Sequence, residues 1–119
     1  MFCPKCQSEM EFADIRGIQV HRCLQCRGLW FRGDGHLRLR ALKGSGAIDI
    51  GEVEVGRAFD DAGRVPCPDC GAAMGKVSER AQSHIVFEAC GAGHGAFFDA
   101  AEYRDFSERT FGDLFRRIF

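Results

Sequence analysis

The sequence predicts a small, metal-dominated α+β fold: two tandem hairpin modules, a short helix after the first and a longer amphipathic helix at the C-terminus. Three observations carry this expectation. All seven cysteines fall in two clusters, Cys3–Cys26 and Cys67–Cys90. Each cluster lies in a unit of about 40 residues, close to the size below which a chain needs a metal or disulfides to fold. Between the paired cysteines the apolar and polar residues alternate with the period of a half-buried strand.

The first cluster reads Cys3-Pro4-Lys5-Cys6, sixteen residues, then Cys23-Leu24-Gln25-Cys26. Each Cys-x-x-Cys pair wraps two thiolates around one ion at a tight turn. Four thiolates close a tetrahedral zinc site with no open position. Between the pairs, Met10 and Phe12 alternate with Glu9 and Glu11, Arg16-Gly17 supplies a turn, and Ile18-Gln19-Val20-His21-Arg22 alternates again into Cys23. Two metal-binding turns joined by a hairpin make a zinc ribbon over residues 1–43. His21 and His36 are ligand types, but four cysteines already fill the site, and His21 falls on the strand face opposite Ile18 and Val20, where solvent is expected. Gly28 lets the backbone turn beside the metal. Trp30 and Phe31 are expected to cover the hairpin, a stacking platform for bases being the alternative. Residues 34–43 are expected to form a short helix capped by Asp34, with an Arg-rich face.

Lys43-Gly44-Ser45-Gly46 reads as a linker. Ile48 to Val55 alternates on both sides of Gly51-Glu52, as a small hairpin or a strand added to an open ribbon edge, so residues 44–64 are a linker or added strand. The second module, residues 65–99, repeats the first with an offset of 64 residues at its start. Cys67-Pro68-Asp69-Cys70 matches Cys3-Pro4-Lys5-Cys6, and Met74 follows Cys70 as Met10 follows Cys6. Ile85 and Phe87 precede Cys90 as Ile18 and Val20 precede Cys23, and Gly95-Ala96-Phe97-Phe98 matches Gly28-Leu29-Trp30-Phe31. The pattern is an internal duplication. No cysteine completes the second pair after Cys90. Three thiolates and one imidazole are a common structural zinc set, so His94 is expected as the fourth ligand, with His84 its rival near the far end of the hairpin. Two zinc ions are therefore expected, one at Cys3, Cys6, Cys23 and Cys26, the other at Cys67, Cys70, Cys90 and His94.

Both modules resemble the small bacterial zinc ribbon domain similar to the N-terminal ribbon of transcription factor IIB. The resemblance rests on Cys3-Pro4, Cys6, Cys23, Cys26, Gly28, Trp30 and Phe31, and on Cys67-Pro68, Cys70, Cys90, His94, Gly95, Phe97, Phe98, Asp99 and Glu102. The first copy departs where Arg32 and Gly35 stand in place of the family's Asp and Glu. The resemblance implies zinc binding and a link to transcription.

After the second module, Asp99 to Glu102 has the form of a helix start, with Asp99 as cap. Tyr103, Phe106, Phe111, Leu114, Phe115 and Ile118 follow at near-helical spacing, giving an amphipathic helix over 100–119. This Phe-rich helix is the expected surface for a protein partner or self-association. The net charge of −1 offers no overall attraction to nucleic acid. Thiolate-bound zinc makes the folded chain more acidic still. Only residues 1–43 are basic, with eight Lys and Arg against four Asp and Glu, so nucleic acid binding is possible through the first module alone. No window reaches the ~18 apolar residues of a membrane span. The odd cysteine count, the metal-like spacing and the absence of a leader before Cys3 favour zinc over disulfides and a cytoplasmic location. No carboxylate pair, Ser-His-Asp set or phosphate-binding Gly loop stands out, and zinc-bound thiolates are poor candidates for thiol exchange, so an enzyme is not expected. The reading is a structural zinc-binding adaptor, with a nucleic-acid-binding transcription-related regulator as the alternative.

Overall fold

The computed structural model describes residues 1–41, 48–49, 65–78, 86–100 and 102–103. Three strands form the first half, β1 (Met10–Ile15), β2 (Ile18–Cys23) and β3 (Leu29–Arg32), followed by the helix α1 (Gly35–Arg40). The second half repeats the three strands as β4 (Gly75–Ser78), β5 (Val86–Ala89) and β6 (Gly95–Phe98). The β1–β2 hairpin closes through Arg16-Gly17, with φ of 53° and 84°, between the paired Ile15 and Ile18. Two consecutive positive φ values define a type I′ turn, whose twist matches that of the strands it joins.

The expected pair of separate tandem ribbons is corrected here. The strands make one six-stranded sheet in the order β1-β2-β3-β6-β5-β4, and every pairing is antiparallel. The halves are fused where β3 pairs with β6, Leu29 opposite Phe98, Trp30 opposite Phe97 and Phe31 opposite Ala96. A lone ribbon would leave its third strand as an open edge. Pairing third strand with third strand removes both edges and places the most apolar residues of each half at the centre.

The second correction concerns the longer C-terminal helix. Among the described residues the chain after β6 is helical only at Glu102–Tyr103, and no longer helix is found there. Residues 104–119, over which most of that helix was expected, lie outside the described residues, as do 50–64 and the rival ligand His84. The carboxylate of Asp99, the expected cap, accepts a hydrogen bond from Lys5 Nζ at its Oδ2, at 2.7 Å. At the other predicted cap, Asp34, no side-chain cap bond forms, and α1 is held instead by packing, with Leu39 buried.

The sheet buries both faces at its centre. One face carries Ile18, Val20, Leu29, Phe31, Phe87, Ala96 and Phe98 under Leu39 and Tyr103. Phe98 stacks on Phe87 at 4.5 Å and meets Phe31 edge-on at 5.6 Å. The other face carries Trp30 and Phe97 between the two cysteine clusters, with Met10, Val65 and Met74. Trp30 and Phe31 are both fully buried, so the core reading holds and Trp30 presents no ring face to a base. Phe12 points to the same face as Met10 but stays 56% exposed, because β1 is an outer strand and this core ends at Met10.

Candidate metal centres

Each centre is built from two backbone turns brought together by the hairpin. At the first turn, Gln7 N–H donates to Cys3 O at 3.0 Å and Gly71 N–H to Cys67 O at 2.8 Å. Outside these, Cys3 N–H reaches Ser8 O and Cys67 N–H reaches Ala72 O, both at 2.8 Å. At the second turn, Cys23 N–H donates to Gly28 O at 2.8 Å and Cys90 N–H to Gly95 O at 3.1 Å. The loops are thus tied by the same bonds in both halves. Gln7 and Arg27 accept positive φ, 65° and 63°, to leave the cysteine turns.

The structure brings together all eight residues that the spacing singled out. The ligand atoms of Cys3, Cys6, Cys23 and Cys26 lie within 4.8 Å of one another, and so do those of Cys67, Cys70, Cys90 and His94. A zinc–sulfur bond of about 2.3 Å gives a tetrahedron with edges of about 3.8 Å. The observed separations are Cys3–Cys26 3.7 Å, Cys6–Cys23 3.3 Å and Cys70–Cys90 3.8 Å, and Cys90 Sγ stands 3.3 Å from His94 Nδ1. All seven cysteines are free of disulfides. Both donor sets therefore fit a four-coordinate zinc ion. His94 enters through the loop at Gly93, whose φ of 82° turns the chain back toward the thiolates.

The thiols are shifted in both directions, and burial raises Cys23 and Cys67. A hydrogen bond with Cys26 holds Cys3 down at about 5, and the same contact together with burial pushes Cys26 up. Cys90 is lowered to about 6 by the backbone N–H and then the ring of His94. Amide donors also reach sulfur directly, from Gln25 and Cys26 to Cys23 Sγ, each at 3.4 Å. Donors aimed at sulfur favour the thiolate, the form that binds zinc. The two centres differ in exposure. The first is largely enclosed, whereas Cys70 and His94 of the second are exposed.

His21 and His36 belong to neither cluster. His21 is half-buried rather than solvated, with its ring 5.1 Å from that of Phe12, and burial lowers its pKa. His36 lies among Phe31, Phe87 and Phe98, and burial brings it down to about 4.

Sequence reasoning missed what joins the centres. Lys5, inside the first cysteine turn, has a side chain with no exposure and bridges to Glu88 Oε1 at 2.9 Å and Asp99 Oδ2 at 2.7 Å. Burial works against its ammonium, and the hydrogen bond and charges of Asp99 and Glu88 outweigh it, raising the pKa overall. Gly28 is expected from the sequence to turn beside the metal, and Gly95 is its counterpart in the repeat. Their requirement is steric, since a Cβ on Gly28 would lie 2.4 Å from Phe97 Cζ and one on Gly95 2.6 Å from Trp30 Cζ2. Each half's glycine receives the other half's ring. The available signal was the reversal of charge at corresponding positions of the two modules, Lys5 against Asp69 and Arg32 against Asp99.

Among the described residues no helix is long and apolar enough to cross a membrane. No curated protein and no solved structure matches the chain. Residues 2–38 match the model of the TFIIB-type zinc ribbon, described as a transcription factor zinc-finger. The four-cysteine cluster lies inside that match, so residues 2–38 are similar to a TFIIB-type zinc ribbon, and the three-cysteine, one-histidine cluster lies outside it.

Proposed function

We propose that the protein is an adaptor: a rigid zinc-held platform that binds another protein and catalyses nothing. The observation that carries this reading is the closure of both centres by four protein ligands each, which leaves the metals a structural task. In addition, Phe12 stands exposed on the outer strand β1, and Phe2, 62% exposed, bridges to Glu9 just before it. An outer strand bearing exposed aromatics is a surface that a peptide can extend by strand addition. The Phe-rich segment 104–119 supplies a second contact to a partner or to another copy. The two halves are copies of one ancestral ribbon, residues 44–64 connect them, and free thiolate sites suit a reducing cytoplasm.

The second reading is a transcription-related regulator that binds nucleic acid. The exposed Arg16 and Arg38 of the first half favour it. It must do without Trp30 as a stacking surface. The test is a titration of the full chain with single- and double-stranded nucleic acid at two salt concentrations, beside capture of protein partners by wild type and Phe12→Ser. Each phosphate contact adds about 0.9 to the slope of log affinity against log salt. Weak, salt-insensitive nucleic acid binding with partner capture that Phe12→Ser loses supports the adaptor. A steep salt slope with no captured partner supports the regulator.

A further inference from the structure

The seam between the halves carries charges that reverse from one half to the other. Lys5 corresponds to Asp69 within Cys-Pro-x-Cys, Arg32 to Asp99 after the aromatic pair, and His21 to Glu88 two residues before a cysteine. Lys5 crosses the seam to Asp99 and Glu88. Asp69 crosses it in the opposite sense to Arg32 Nε, at 3.5 Å, and His21 stands in the field of Arg32 and Asp69.

The backbone of the seam does not distinguish one half from the other. Trp30 pairs with its own counterpart Phe97, while Leu29 pairs with Phe98 and Phe31 with Ala96, so a half-turn about the centre reproduces the pattern. The contacts of Gly28 with Phe97 and of Gly95 with Trp30 follow the same symmetry. Two first halves from two copies of the chain, or two second halves, would satisfy strands and rings alike. Only the charges object. First against first sets Lys5 beside Arg32 at both ends and strips a fully buried ammonium of its carboxylates. Second against second sets Asp69 beside Asp99. Breaking a buried ion pair is far more costly than losing an exposed one.

We propose that this seam is a selective docking surface: the β3 edge of the first half accepts the acidic second half, from its own chain or a second copy, and rejects another first half. The proposal stands apart from the adaptor reading and survives its failure. Arg32→Asp gives the first half both a lysine and a carboxylate, making first-to-first pairing favourable. Adding Asp69→Lys restores the intramolecular seam and leaves every pairing permitted.

The test unfolds full-length wild type, Arg32→Asp and Arg32→Asp/Asp69→Lys in denaturant and refolds each with zinc over a roughly hundredfold concentration range. Sedimentation velocity then reads the masses. The expected result is a several-fold larger heavy fraction, growing with concentration, in both variants than in wild type. Zinc content confirms that each variant is folded, and the double variant serves if the single one is not. Coincident distributions for wild type and the folded variants overturn the proposal, as does a wild type that forms as much heavy species as they do.

Discussion

Trp30 and Phe97 stand directly opposite each other across the β3–β6 pairing, both fully buried between the two metal centres. Each ring also fills the space over the other half's glycine. The centre of the protein is thus neither ribbon but the join between them. This arrangement explains how units of about 40 residues hold large aromatic groups that neither could bury alone.

Gly95→Ala should therefore destabilise the whole sheet. Its Cβ would lie 2.3 Å from Phe31 O, and a backbone oxygen in a paired strand cannot step aside. Overpacking of this kind costs about 1–3 kcal/mol. Gly28→Ala meets the tip of the Phe97 ring, which is freer to tilt, and should cost less. Thermal unfolding of the two zinc-loaded variants checks the order. Stability equal to wild type in Gly95→Ala would show that the seam is looser than described.

Lys5→Ala should cost about 3–5 kcal/mol, because it leaves the carboxylates of Glu88 and Asp99 buried without their cation. Lys5→Met combined with Glu88→Gln and Asp99→Asn should recover much of that loss. Denaturant unfolding of the single and triple variants reads both effects. The pH dependence has a definite sign. The folded state raises the Lys5 pKa above its ordinary 10.5, so this stabilisation is complete below that value and disappears as pH rises through the folded one.

Much of this fold was legible in local pattern. The four-cysteine spacing, the hairpin turn at Arg16-Gly17 and the short helix after β3 follow from rules spanning a few residues. His94 was legible because the second half repeats the first and one ligand was missing. The β3–β6 join was not, since the apolar run Leu29-Trp30-Phe31 states that burial is needed without naming the partner. Asp99 shows the same limit. Its sequence context is that of a helix cap, and nothing in it names the lysine 94 positions away that donates to its carboxylate.

Deleting residues 104–119 should leave two zinc ions bound and the sheet intact. The segment contains no cysteine or histidine, and Tyr103, the last described residue in the core, is retained. It removes Phe106, Phe111, Leu114, Phe115 and Ile118. If the segment contacts a partner, pull-down from the native host should lose proteins that the full chain retains, with zinc content unchanged. Identical capture by both chains would leave the β1 edge as the candidate surface.

The two centres should part with metal in a fixed order. Cys3, Cys23 and Cys26 are enclosed, whereas Cys70 and His94 face solvent, so a chelator reaches the second zinc first. His94→Ala should lower the content from two zinc ions to about one, because three thiolates alone leave a position open to water and chelator. His94→Cys should hold two. Structural zinc contributes roughly 10–16 kcal/mol in small metal-folded peptides, more than either half can supply by burial. Losing the second zinc therefore releases β6, and β3 loses the strand that covers Trp30. Indole emission should shift to the red during the first step of chelation, although Trp30 belongs to the half that still holds its metal. Zinc content by elemental analysis, followed in parallel with that emission, checks the sequence of events. An unchanged Trp30 signal until the first centre empties would mean that the halves keep separate cores.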